Sequence, residues 1–395
     1  MTVLTNLNIW DGEGALIRED VDTLEIADGK IVRTCLASDL PESERKESRD
    51  LGGLFIMPGM IDAHVHMCLN PEIMNPMDQD KVPRDVILNQ IETRAQAMLE
   101  AGITTARDLG GGQWLELEVR DRIRRKEVSG PRLICSGQPV TSVMGHCHFW
   151  GGEASDLAAA LAVVARQVDH DVDLIKVMAT GGNLTKGSKP ADAQFDTATL
   201  RAIVTEARRN GFHVAAHCHG TVGIGRAAEA GVTTIEHCSW VGGDGWAKNF
   251  DADVCAEIVR QGAFVSPTIN LGWKRRIGSG EYEALILGNY ANMKAAGVRF
   301  IASTDAGIPN VFHHDLPRAL PVFAHFAGLS NAEVLRAATS DCAVAIGLGE
   351  VTGRIGAGFS ADLVLLDGNP LIDLDILVNP VDVIARGRSL REVAL

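Results

Sequence analysis

The chain holds twelve histidines, and five of them fall in a pattern suited to a divalent metal. His64 and His66 flank Val65, and His217 and His219 flank Cys218. Residues two apart in a strand share a face, so each pair offers two neutral imidazoles on one side. Such a pair is half of a binding site for a divalent ion. His237 and Asp305 add an imidazole and a carboxylate at the ends of two further segments. Lys176 is the chemical oddity, because Leu174-Ile175-Lys176-Val177-Met178 is otherwise apolar and a buried ammonium is costly. One reading takes its side chain up to a salt bridge or a substrate. The sharper reading is N-carboxylation: an amine of depressed pKa adds carbon dioxide, and the two carbamate oxygens bridge two metals. Two divalent ions, Asp305, the carbamate and a hydroxide then sum to about +1, a manageable buried charge.

These residues need a scaffold that aims separate segments at one place. Short β-like segments recur at Ile61–Met67, Thr104–Leu109, Arg132–Ser136, Leu174–Met178, His213–His219, Thr233–Cys238, Ala263–Thr268 and Arg299–Ser303. Helical stretches separate them: Val82–Ala101, Glu116–Ser129, Asp156–His170, Asp196–Asn210, Thr221–Ala230, Asp251–Gln261 and Glu281–Ala296. Leu316–Ala327 and Asn331–Gly347 follow the last of them. Glycines at 102, 211, 231 and 297 sit where helices stop. Eight such units predict an α/β fold, a distorted (β/α)8 TIM barrel over residues 58–349 with its active site at the C-terminal strand ends. Residues 1–57 are β-rich, with Val3–Ile9 and a hairpin turn at Asp28-Gly29-Lys30, and Ala361–Leu366 and Val381–Ala385 are β-like at the other end. A small β-sandwich domain built from 1–57 and 350–395 is expected.

The ordered motifs resemble those of the amidohydrolase superfamily of metal-dependent hydrolases. They are Pro58-Gly59-Met60-Ile61-Asp62-Ala63-His64-Val65-His66, Ile175-Lys176-Val177, His213-Val214-Ala215-Ala216-His217, Thr234-Ile235-Glu236-His237 and Ser303-Thr304-Asp305-Ala306-Gly307. Gly353-Arg354-Ile355 and Ala361-Asp362-Leu363-Val364 also match. Gly145-His146-Cys147-His148 points to the imidazolonepropionase-like branch that includes Xaa-Pro and Xaa-Arg dipeptidases. The resemblance implies two divalent ions per chain, usually zinc. His64, His66 and Asp305 would bind the more buried ion, His217 and His237 the more exposed one, and carboxylated Lys176 would bridge them. A bridging hydroxide would attack the substrate carbonyl, with Asp305 moving its proton to the leaving nitrogen and His146 stabilising the oxyanion. The implied substrate is a small molecule, a dipeptide or an N-acyl amino acid.

One departure concerns His219, where some dipeptidases of the branch carry a Tyr that helps hold the substrate carboxylate. His219 shares a face with His217, so it is either a substrate contact or a packing residue; His148 is expected to be structural. Lys274, Arg275 and Arg276 follow the seventh β segment and are candidates to grip a carboxylate, with a solvated loop as the alternative. Trp150, Trp240 and Trp273 are candidates to line the pocket, while Cys218 and Cys238 should face away from it. A mononuclear deaminase or imidazolonepropionase is the alternative; that class lacks the bridging lysine and has a Glu three residues after the strand-five His, where this chain has Gly220. A non-catalytic barrel fits poorly, since all six ligand positions are filled.

Bulk properties narrow the field. With 51 acidic against 37 basic residues, the net charge of −14 argues against nucleic acid or an anionic membrane as partner. No apolar run is long enough to span a bilayer. Eight scattered cysteines and no signal-like start favour a reducing cytoplasm. A homo-oligomer is expected.

Overall fold

A computed structural model describes residues 1–391, apart from the side chain of Asp80. Eight parallel strands occupy the middle of the chain: Met60–Val65, Ile103–Asp108, Arg132–Cys135, Ile175–Met178, Val214–Gly220, Thr234–Val241, Phe264–Ser266 and Arg299–Phe300. They form a three-stranded and a five-stranded sheet in sequence order. Two seams join the sheets. At one, Asp173 N donates to Cys135 O (2.9 Å) and Val140 bridges Val177; at the other, Ala63 N donates to Ala302 O (3.1 Å) and Val65 bridges Ala306. Parallel sheets joined at both edges fit the expected barrel, and the broken ladders at the seams are its distortion.

The strand residues are buried nearly throughout, as strands covered by helices must be. The helices begin on side-chain caps where the sequence supplies one. Asp156, Asp196 and Asp251 accept from backbone N–H groups of the first turn. Gly231, Gly262 and Gly297 end helices in the left-handed conformation. Each helix therefore returns the chain to the bottom of the barrel, and the loops carrying the site gather at the top.

Some elements are shorter than expected. Val3–Ile9 is two strands, Thr2–Thr5 and Asn8–Ile9, because Asn6 turns to φ 58°. Glu116–Ser129 is helical only as Leu115–Arg124. Asn331–Gly347 is two helices, Asn331–Ala337 and Ser340–Ala345, parted at Thr339 (φ −136°, ψ −95°). The eighth strand keeps only two ladder residues; from Ile301 onward its backbone bonds neighbouring chain irregularly, as in Asp305 N to His64 O (2.8 Å).

The chain ends form two further sheets. One contains Thr2–Thr5, Thr23–Ala27, Lys30–Cys35 and Arg49–Asp50; the other contains Asn8–Ile9, Phe55–Pro58, Leu363–Leu366, Asp382–Ala385 and Arg388–Ser389. The hairpin turn at Asp28-Gly29 has φ of 51° and 79°, the positive pair that a tight antiparallel turn needs. Leu4, Leu24, Ile31, Ile56, Leu363, Leu365 and Ile384 share one apolar cluster drawn from both sheets. The last four residues of the expected 350–395 segment lie outside the described residues. Among the described residues, no helix is long and apolar enough to cross a membrane.

Candidate metal centre

All six expected ligand residues line one cavity of about 300 Å³ at the C-terminal ends of the barrel strands. His146, His219, Arg275 and Arg276 line it too. The histidines arrive with their ring nitrogens already assigned. His66 Nδ1 stands 2.9 Å from Gly110 O, a group that only accepts, so Nδ1 carries the proton and Nε2 presents its lone pair. His64 Nδ1 bonds Glu236 Oε2 at 2.9 Å, which leaves its Nε2 free in the same way. Both Nε2 atoms lie 3.3 Å from Asp305 Oδ1. His217 is the mirror case: Nε2 donates to Gly181 O (3.0 Å), so Nδ1 is the free donor atom.

His237 Nδ1 is 2.9 Å from Thr268 Oγ1, and its Nε2 stands 2.9 Å from His217 Nδ1. One nitrogen donates to the other here, and the same pair of ring nitrogens could both turn their lone pairs on a divalent cation. The geometry resolves two candidate groups, His64–His237–Asp305 and His217–His219–His237, each with ligand atoms within 4.8 Å of one another. Burial holds most of the imidazoles neutral, the form a metal requires: His64 and His219 fall to about 4, and His217 and His237 well below their ordinary value. His66 is the exception: burial works against its charge, but the Asp305 carboxylate 3.3 Å away raises it. Burial also works against ionised Asp305, while positive charge among its neighbours, His66 and Lys176 included, draws its carboxyl below the usual range.

Lys176 is 1% exposed, and its Nζ has no hydrogen-bond partner. An unpartnered buried amine is expensive, and burial lowers its pKa to about 8. Its charge is felt by His64 and Asp305 on one side and by His217 and His237 on the other. These histidine and carboxylate donors fit a bound divalent metal, and the orphaned Lys176 amine lines the same cavity.

His146 is buried, with its ring 4.4 Å from that of His217 and its Nδ1 unpartnered. Burial drives its pKa down to about 3, so it stays neutral and can donate from one nitrogen only. Gly182 makes room for it, since a Cβ there would stand 2.5 Å from the ring. His148 lies two residues on, but Cys147 takes φ 53° and His148 turns away to within 4.0 Å of Glu153. His219 is a cavity residue whose Nδ1 meets Ser239 Oγ at 3.0 Å and whose ring stacks 4.4 Å from His237. Arg276 lies over the Trp273 ring at 3.8 Å. Lys274 is not among the lining residues. Trp150 packs 5.3 Å from His66, while Trp240 is buried behind the cavity against Phe250. Cys218 Sγ faces Gly223 O, away from the site.

Sequence reasoning missed the residues that hold the ligands. Glu236 is wholly buried between His64 and Arg107 Nη2 (2.8 Å). Arg107 sits in the mixed strand Ile103-Thr104-Thr105-Ala106-Arg107-Asp108, next to a carboxylate, so it lacks the contrast that marks Lys176. Strict alternation placed Glu236 opposite His237, but His237, Cys238 and Trp240 have φ of 66°, 50° and 52°, so strand six does not alternate at its end. Asp62 was also missed; it accepts from His64 N, Thr304 N and Thr304 Oγ1 and so ties the first and last ligand segments together.

The amidohydrolase family profile matches residues 55–393. The chain is 25% identical to an ochratoxinase of Aspergillus niger over 93% of its length and 82% of the relative's. It is 29% identical to an imidazolonepropionase of Chloroflexus aggregans, covering 80% and 77%. Among solved structures, a prolidase complexed with n-methylphosphonate-l-proline superposes with a TM-score of 0.83 at 27% identity, covering 98% and 99%. With a metal-dependent hydrolase profile over most of its length and the ligand set assembled at the barrel mouth, this chain belongs to the amidohydrolase family.

Proposed function

We propose that the chain is a binuclear amide hydrolase that releases an amino acid from a dipeptide or an N-acyl amino acid. The observation that carries this reading is Lys176: one buried, unpartnered amine that neighbours both groups of ligands. As a carbamate it would lose its buried positive charge and would offer oxygen atoms to hold the metal beside both ligand groups. His64, His66 and Asp305 would hold one ion and His217 and His237 the other, with zinc the proposed metal. When bound, such a pair supplies a nucleophilic water at neutral pH and polarises a carbonyl.

The chain's own groups do the rest. Asp305, held as a carboxylate, accepts the water's proton and passes it to the leaving nitrogen, whose release as an amine requires it. His146 donates one N–H to the carbonyl oxygen as negative charge develops there. His219, Arg275 and Arg276 line the same cavity and are the proposed contacts for the substrate's carboxylate. The two terminal sheets, with their common core, are proposed as one composite β-sandwich domain of residues 1–57 and 350–395.

A screen of dipeptides and N-acyl amino acids with the zinc-loaded protein tests the activity. Amino-acid release supports the reading. Ammonia release from an aminopyrimidine or purine, with no amide cleaved in the screen, would transfer the chain to the deaminase class.

A further inference from the structure

A second, smaller recess opens from the metal cavity and has a different character. His237, Ser239, Trp246, Trp273 and Arg276 line both spaces, so the recess starts at a proposed metal ligand and at an arginine. Its far wall is apolar. Ile286, Tyr290 and Met293 lie at helical spacing on one face of Glu281–Ala296, and they are 4%, 5% and 1% exposed. Arg276 at the mouth is covered by Trp273, and the ionisable groups around it are Tyr282, Arg275 and Tyr290, with no carboxylate among them.

Resting on the amide hydrolase reading, we infer that this recess is the specificity slot for the leaving amino acid, and that it selects a compact branched aliphatic side chain. Arg276 would take the α-carboxylate while the side chain enters beside Trp246 and reaches Ile286. Both features of an apolar amino acid, one anion and one apolar group on the same carbon, then meet complementary surface within reach of the scissile amide. Size makes the choice among apolar groups. The recess has about 40 Å³ of space. That is a few water-sized spheres of about 10–15 Å³ each, room for a small branched group of valine or leucine size and not for an indole.

Two arms test the slot on the zinc-loaded protein. The first compares kcat/KM for Ala-Leu, Ala-Val, Ala-Gly and Ala-Trp. Leucine and valine should exceed glycine and tryptophan by about tenfold or more, the scale on which an apolar pocket reads methylenes. Ile286→Phe, which fills the slot, should lower the leucine-to-glycine ratio at least about tenfold, and Ile286→Ala should shift preference toward Ala-Phe. The second arm measures binding of free L-leucine and glycine by calorimetry and needs no turnover. L-leucine should bind more tightly, and Ile286→Phe should erase the difference. Equal kcat/KM across the four dipeptides, or L-leucine binding no better than glycine and unmoved by Ile286→Phe, overturns the slot. Absence of any peptide cleavage, with the leucine preference intact in the binding arm, overturns the hydrolase reading and leaves the slot standing.

Discussion

The barrel mouth and the terminal sheets use the same physical devices to opposite ends. Positive φ angles in the terminal sheets fall in turns, at Asn6, Asp28 and Gly29, where they shape the chain. At the barrel mouth they fall on His237, Cys238, Trp240, Thr268 and Asp305, at the ends of three barrel strands. Strain of about 1–3 kcal/mol per residue is retained there with two proposed ligands among the strained residues. Unpartnered polar atoms differ as well. Toward the chain ends they are Arg354 Nε and Arg386 Nη1, spare nitrogens of guanidinium groups that are otherwise bonded. At the mouth they are Lys176 Nζ and His146 Nδ1, in a cavity open to a ligand. The lesson is that stability and chemistry are separated in this fold: one region is satisfied and apolar, and the other holds its reactive groups at a cost.

That separation can be broken experimentally. Lys176→Ala should have the largest effect, a loss of at least about 10³-fold in kcat/KM from the several kcal/mol of metal assistance removed. Compared as metal-free proteins, the variant should hold or gain thermal stability, since it deletes an unpartnered buried amine; a collapse of Tm without metal would instead make Lys176 a structural residue. His146→Asn should follow, lowering kcat by about 10²–10³-fold with KM little changed, as expected of a group that engages the oxyanion. Equal effects on KM alone would move His146 to substrate binding.

Glu236→Gln should weaken metal retention by about 10–100-fold, because Glu236 fixes the tautomer of His64. Metal content after dialysis against a graded chelator series measures it. This variant sits on the boundary of the comparison, since it also leaves buried Arg107 without its counter-ion and should cost about 3–5 kcal/mol of stability. The smallest effect on turnover should come from Leu365→Ala in the terminal cluster. Deleting that buried side chain should cost about 2–5 kcal/mol of stability, read as a fall in Tm, with kcat/KM at 25 °C unchanged.

Much of this was legible in the sequence, for identifiable reasons. The alternation of strand-like and helix-like segments announced the barrel, and the two His-X-His pairs announced the mouth. Lys176 stood out because a cation in an apolar strand demands an explanation. What stayed hidden depends on departures from regular geometry. The left-handed residues at 237, 238 and 240 bring Glu236 and His237 into the same interior, which period-two reasoning forbids. Thr304 lies 242 positions from Asp62, and His64 and Arg107 lie 172 and 129 positions from Glu236, so no local pattern reveals these pairings. Trp246 and the Ile286–Tyr290–Met293 face meet only through the packing of the strand-six loop against Glu281–Ala296, the helix after strand seven.

The central claim is that Lys176 completes a site for two ions, and metal stoichiometry tests it most directly. Protein purified without chelator and reloaded with excess zinc and bicarbonate is desalted and subjected to elemental analysis, alongside Lys176→Ala. The account predicts two zinc ions per wild-type chain and fewer in the variant. One ion per chain in both proteins, unchanged by bicarbonate, would contradict it.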